Sequence, residues 1–116
     1  MRIYVLGPMR GIPEFNFPAF HAAAAALREQ GHTVFSPAER DNERHGVDIS
    51  KGNKTGSVLE AEASHGFNLR VALGEDIAWI CAHADAVACL PGWEFSNGSV
   101  AEWATAKALG LKFIYL

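Results

Sequence analysis

The sequence predicts a single three-layer α/β domain, Rossmann- or flavodoxin-like. Its parallel sheet of four to five strands has the order 2-1-3-4, with helices on both faces. Three observations carry this prediction. Short β-rich runs (Arg2–Leu6, His32–Phe35, Asp85–Leu90 and Lys112–Leu116) alternate with longer helical patterns, as expected of parallel strands joined by right-handed crossovers. Glycine- and proline-bearing loops follow the first and third runs. With strand one central, both loops fall at the switch point where open α/β sheets bind ligands. Finally, Gly31 and Gly110 stand where two of the helices must stop.

Taken in order, Arg2–Leu6 is a strand ended by Gly7-Pro8. The loop Gly7-Pro8-Met9-Arg10-Gly11-Ile12-Pro13 has a backbone that a ligand can approach closely, and Arg10 is its only cation. A loop arginine is most often just solvated, but at the end of a first parallel strand it is also a candidate anion contact. Phe15 to Gln30 reads as a helix. Asn16 is its candidate cap, Phe15 and Phe20 are spaced as a hydrophobic staple, and Ala22 to Ala26 raise helix propensity. His32–Phe35 is stopped by Ser36-Pro37.

From Glu39 to His65 the chain turns polar and mixed in charge. It reads as a long surface loop, with a lid-like insertion at about 42–65 and a candidate helical turn around Val58 to Ala63. Gly52-Asn53-Lys54-Thr55-Gly56-Ser57 looks like a phosphate loop, but it lacks the G-x-x-x-x-G-K-[ST] spacing and no strand precedes it. Phe67 to His83 is a helix with Leu69, Leu73, Ile77 and Ile80 along one face. Asp76 lies beside that stripe, where a carboxylate is costly unless it has a partner or a task.

After the third strand, Pro91 to Asn97 is a loop and Gly98 to Leu109 a helix. Strand, loop and helix N-terminus together aim backbone N–H groups and a positive dipole end at an anion. Trp93 in this loop is a candidate wall of the pocket. Glu102 falls in the first turn or so, and two readings of it stay open. It is a nucleophile kept ionised by the dipole, or it completes an S-x-x-E capping box with Ser99.

Composition narrows the class. The chain has 116 residues and a net charge of −3, which argues against broad nucleic-acid or membrane surfaces. No apolar run is long enough to span a membrane, and the N-terminal run is too short for a secretory signal. A cytoplasmic protein is expected, with Cys81 and Cys89 as buried free thiols. The five histidines show no metal-ligand spacing, so no metal or cofactor is expected.

Three stretches together resemble the nucleoside 2-deoxyribosyltransferase superfamily, most closely its short phage and bacterial branch. They are Ile3-Tyr4-Val5-Leu6-Gly7-Pro8-Met9-Arg10-Gly11, then Asp76-Ile77-Ala78-Trp79-Ile80 with Ala84-Asp85-Ala86-Val87, and Ser96-Asn97-Gly98-Ser99-Val100-Ala101-Glu102. The resemblance implies that Glu102 attacks the anomeric carbon of a (deoxy)ribose, that Tyr4 orients it, and that Asp76 protonates the leaving base or positions the sugar. Together with the loop readings above, the substrate pocket is expected to be lined by Gly7, Pro8, Met9, Arg10, Gly11, Trp93, Ser96, Asn97, Gly98 and Ser99. Two features depart from the family pattern. Ala104 replaces a glycine common two residues after the nucleophile. Ser96 stands where transferases of free nucleosides tend to carry aspartate, and a hydroxyl there suits a phosphate, as in the nucleotide-hydrolysing relatives. The expected activity is therefore N-glycosidic cleavage or base exchange on a (deoxy)nucleoside 5′-monophosphate, by the double displacement of retaining glycosidases. A nucleotide-binding module without turnover and a free-nucleoside transferase are the alternatives. A homodimer or larger is expected, from apolar helix faces at Phe17 to Leu27 and at Trp103, Ala106 and Ala108, with Trp79 and Trp103 as candidate anchors.

Overall fold

The structure, a computed structural model, describes residues 1–45, 56 and 68–116. The four strands β1 (Arg2–Leu6), β2 (Thr33–Phe35), β3 (Ala86–Cys89) and β4 (Lys112–Tyr115) form one parallel sheet in the order β2-β1-β3-β4. The predicted order is the observed one. The helices are α1 (Phe17–Glu29), α2 (Pro37–His45), α3 (Leu69–His83) and α4 (Asn97–Ala108).

Strand alternation sorts the core into two layers. Ile3, Val5, Ala86 and Ala88 face a cluster with Phe17, Phe20, Ala24 and Leu27 of α1. Tyr4, Leu6, Val87 and Cys89 face the other way, onto Ile80 of α3 and Ala106 of α4. Tyr4 is level with Phe35 on one neighbouring strand and Val87 on the other, so its hydroxyl is aimed from the centre of the sheet. Gly7 ends β1 where an added Cβ would lie 2.7 Å from Leu90 Cβ, so only glycine lets the two strand-end loops meet.

Helix ends explain most of the boundaries. At the end of α1 the N–H of Gly31 (φ 91°) donates to Arg28 O and that of His32 to Leu27 O, at 2.9 and 3.3 Å. This is the Schellman pattern, and Gly110 and Leu111 repeat it on Lys107 and Ala106 after α4. The start of α1 differs from expectation. The helix begins at Phe17, and Asn16 makes no side-chain cap. Before it, the turn Pro13–Asn16 runs through left-handed backbone at Glu14, Phe15 and Asn16 (φ 56°, 52° and 59°). Such backbone costs about 1–2 kcal/mol per non-glycine residue, and the burial of Phe15 in the first cluster opposes that cost.

Helix α2 occupies the beginning of the predicted long loop, which is a correction. Ser36 is its N-cap residue, since Ser36 O accepts from Arg40 N at 3.0 Å. Pro37 follows at N1 and Glu39 at N3, a helix-start signature within a polar stretch. The side chains do not close the box. Glu39 instead takes two hydrogen bonds from Arg28 at 2.6 and 2.7 Å, and the buried Ser36 Oγ has no hydrogen-bond partner among the described residues. The candidate turn at Val58 to Ala63, the Gly52–Ser57 motif apart from Gly56, and the rest of the insertion lie outside the described residues.

Helix α3 starts at Leu69 with Asn68 as cap, its Oδ1 accepting from Val71 N at 3.2 Å. Its buried face is Ala72, Asp76 and Ile80, not the predicted stripe. Leu69 is exposed and Leu73 and Ile77 are half-buried. Cys89 is buried but Cys81 is exposed, contrary to expectation, and both are free thiols.

Candidate active site

A cavity of about 360 Å³ opens at the carboxyl ends of β1 and β3, the predicted switch point. Its volume falls within the range of small-molecule sites, roughly 300–1,000 Å³. The loop after β1 supplies Gly7, Pro8, Met9 and Arg10, and the start of α4 supplies Ser96, Asn97, Gly98 and Ser99. Both stretches singled out in the sequence meet here.

The chemistry of the cavity is concentrated in carboxylates. Glu102, Asp76 and Asp41 line it from α4, α3 and α2, and they are 6 %, 6 % and 3 % exposed. The hydroxyl of fully buried Tyr4 donates a short hydrogen bond to Glu102 Oε2. Burial pushes the Glu102 carboxyl up to about 8; the Tyr4 hydrogen bond works against this, and the negative fields of Asp76 and Asp41 add to it. The expectation that the helix dipole keeps Glu102 ionised is therefore corrected. Desolvation at a buried second-turn position outweighs a dipole effect worth at most about 2 kcal/mol. Burial, together with the same carboxylates, also holds the Tyr4 phenol well above its usual range, so Tyr4 stays a hydrogen-bond donor.

The cap of α4 settles the second open reading of Glu102. Ser96, not Ser99, is the N-cap residue, its Oγ accepting from Ser99 N at 3.3 Å. Ser99 Oγ donates to Gly7 O at 2.7 Å, locking the helix start to the β1 loop. Glu102 takes no part in capping. The Ser96 hydroxyl keeps its own proton to donate, and the N–H groups of Asn97 and Gly98 have no intrahelical acceptor. Together with exposed Arg10 they make the rim of the cavity a cationic and hydrogen-bond-donating end.

Two predicted pocket residues lie elsewhere. Trp93 stacks on Trp103 (5.2 Å, 16°) in the second core cluster, and Gly11 donates its N–H to Gly56 O at 3.0 Å; neither lines the cavity. Trp79 and Trp103 are also half-buried in that cluster, with Trp79 stacked on Phe35 at 4.8 Å, and Ala106 is fully buried. Sequence reasoning missed Asp41, Phe15 and Phe95 as lining residues. The helix-start signature at Ser36-Pro37-Ala38-Glu39 was the signal for Asp41, placing it in a helix rather than a loop. Nothing local marks Phe15, whose place depends on the left-handed turn.

Burial pushes the Cys89 thiol up to about 11, which leaves it neutral and unreactive at physiological pH. Among the described residues no group of His, Cys, Asp and Glu side chains is arranged to hold a metal ion, and no helix is long and apolar enough to cross a membrane. No match was found among curated proteins or among solved structures. One family profile, described as a domain of unknown function (DUF4406), matches residues 1–115. That match takes in every element of the sheet and both walls of the cavity, and the chain belongs to the DUF4406 family.

Proposed function

We propose that the protein cleaves or exchanges the N-glycosidic bond of a (deoxy)nucleoside 5′-monophosphate through a covalent intermediate on Glu102. The observation that carries this reading is the Glu102 carboxyl in the wall of a nucleotide-sized cavity shared with Asp76, hydrogen-bonded from behind that wall by the fully buried Tyr4 hydroxyl. Resemblance to the nucleoside 2-deoxyribosyltransferase superfamily, in the residues quoted above, supports it. Moving one proton from Glu102 to Asp76 gives an ionised nucleophile and a protonated acid with no change in total charge. Glu102 then attacks the anomeric carbon, the bond to the base breaks, and the base nitrogen takes the proton from Asp76. Water or a second base next displaces Glu102 from the sugar, with Asp76 accepting the proton that water loses.

Incubation with each common NMP and dNMP, with and without a second free base, tests this by chromatography. Release of free base and sugar 5-phosphate, or exchange of bases, is expected; unchanged nucleotide throughout would refute it. The neutral state of Glu102 near pH 7 favours one other reading, a nucleotide-binding module in which the carboxyl is a hydrogen-bond donor. Binding without base release would select that reading.

The rim predicts a phosphate preference. Arg10→Ala is expected to weaken nucleotide binding about ten- to a hundredfold, the value of a charge-assisted hydrogen bond, while nucleoside binding hardly changes. Ser96→Ala should do the same and also cost about 1 kcal/mol of stability, because it removes the cap of α4. Equal losses for nucleoside and nucleotide, measured by calorimetry, would remove the phosphate from this end.

We also propose a homodimer or larger assembly. Val100 and Leu109 of the α4 region and Tyr115 and Leu116 at the end of β4 are large apolar side chains exposed by 41–60 %, and they replace the half-buried tryptophans as candidate contacts. Sedimentation is expected to give a mass above 12.5 kDa; an active species at that mass would rule the assembly out.

A further inference from the structure

The loop that carries Arg10 is held from outside itself at Gly7 and at Gly11. Ser99 Oγ donates to Gly7 O at 2.7 Å, and the N–H of Gly11 donates to Gly56 O at 3.0 Å. Gly56 comes from the polar stretch between α2 and α3, far from Gly11 in the chain, and it is buried. Within the loop, the Ile12 N–H donates to Met9 O at 3.2 Å, closing a turn with Arg10 and Gly11 as its central residues. Gly11 has φ 82° while Arg10 is not left-handed, the pattern of a type II turn. Types I and II differ by a flip of the central peptide, the one that carries the Gly11 N–H. Gly56 O accepts from that N–H and so holds the peptide in its type II orientation. The fit is close. Gly56 has φ 68°, and a Cβ there would lie 2.3 Å from Ile12 O, 2.5 Å from Ile12 N and 2.8 Å from Gly11 N. All three are backbone atoms of the turn, so the turn or Gly56 would have to shift to admit one.

We propose that Gly56 is a positioning residue for Arg10. Its carbonyl fixes the Arg10–Gly11 peptide, and with it the backbone from which the Arg10 side chain leaves for the cavity. The role rests on the phosphate reading of the rim given above, and not on turnover. Gly56 does not itself line the cavity, whereas Arg10 does. Loss of its contact should therefore reach a bound nucleotide through Arg10, at the phosphate, and leave the sugar and base contacts in place. A charge-assisted hydrogen bond depends on alignment, so a displaced Arg10 loses much of its value without being removed.

The test measures calorimetric binding of the common deoxynucleoside 5′-monophosphates and of their nucleosides. The parent is the Glu102→Gln protein, so that no turnover intervenes, and it is compared with Gly56→Ala, Arg10→Ala and both together in that background. Gly56→Ala is expected to weaken nucleotide binding about tenfold and nucleoside binding less than about twofold. Added to Arg10→Ala it should cost less than about a further twofold, since residues acting through one contact are not additive. Gly11→Ala, whose added Cβ meets nothing within 4 Å but whose φ of 82° disfavours alanine, should repeat the result without crowding Ile12. Thermal melting checks folding, and Gly11→Ala decides the matter if Gly56→Ala does not fold. Equal losses on nucleotide and nucleoside, or a tenfold loss that persists beside Arg10→Ala, would make Gly56 a packing residue and overturn the assignment. So would a loss from Arg10→Ala with none from Gly56→Ala, which leaves the phosphate reading standing. Arg10→Ala without effect on nucleotides would overturn the phosphate reading and the role of Gly56 with it.

Discussion

Glutamine in place of Glu102 is expected to abolish base release and, at the same time, to stabilise the folded protein at neutral to alkaline pH. The rate loss should be at least about a thousandfold, as for removal of other covalent nucleophiles. The stability gain follows from proton linkage. Burial raises the Glu102 carboxyl from 4.5 to about 8. Between those values the folded protein holds a proton that the unfolded chain has lost, so stability falls as pH rises and levels off above about 8. Glutamine keeps the shape, still accepts the Tyr4 hydrogen bond and never ionises. Its advantage over wild type should be absent near pH 4, grow through neutrality and plateau above about pH 8, where it reaches a few kcal/mol. Thermal melting of both proteins from pH 4 to 9 measures this. An advantage independent of pH would show that Glu102 is not the buried acid described here, and wild-type turnover would remove it as the nucleophile.

Tyr4→Phe is expected to lower kcat/KM about ten- to a hundredfold, since the nucleophile loses the hydrogen bond that orients it. Its pH profile carries the sharper information. The Tyr4 hydrogen bond lowers the Glu102 pKa, so without it that pKa climbs further. The carboxylate cluster needs one proton to pass to the leaving base, and wild-type kcat/KM should therefore fall as pH rises through about 8, where Glu102 gives that proton up. In Tyr4→Phe this alkaline limb should move to higher pH. A rate that instead climbs through pH 8 would mean that Glu102 needs only to be ionised and that no proton is handed on.

The sheet order was legible because its signals are local. The first three strands are each followed within two residues by a glycine or proline, and Gly31 and Gly110 stop their helices through hydrogen bonds made within six residues. Asp76 could be marked as an acid beside an apolar helix stripe and Glu102 as a carboxylate early in a helix that follows a strand and a glycine-bearing loop, whereas Tyr4 entered only through the family resemblance. What sequence alone could not supply is tertiary. The dipole rule describes a helix end in water, and Glu102 is under a second layer of side chains, where desolvation decides its charge. Ser96 and Ser99 compete for one cap, and the winner is fixed by Gly7 O, which engages Ser99 Oγ from 92 residues away in the chain. Trp93 belongs to the core because Trp103 lies beneath it, one helix later. Helix α2 is the exception, a local signature obscured by polar composition, and with it Asp41 was missed.

The stereochemistry of the reaction tests the covalent role of Glu102 most directly. With methanol as the acceptor and a (deoxy)nucleoside 5′-monophosphate as donor, proton NMR of the first-formed methyl glycoside reports its anomeric configuration. Double displacement through Glu102 predicts retention, the β-nucleotide giving the β-glycoside. The α-glycoside, formed by direct attack of the acceptor without a covalent intermediate, would contradict the account.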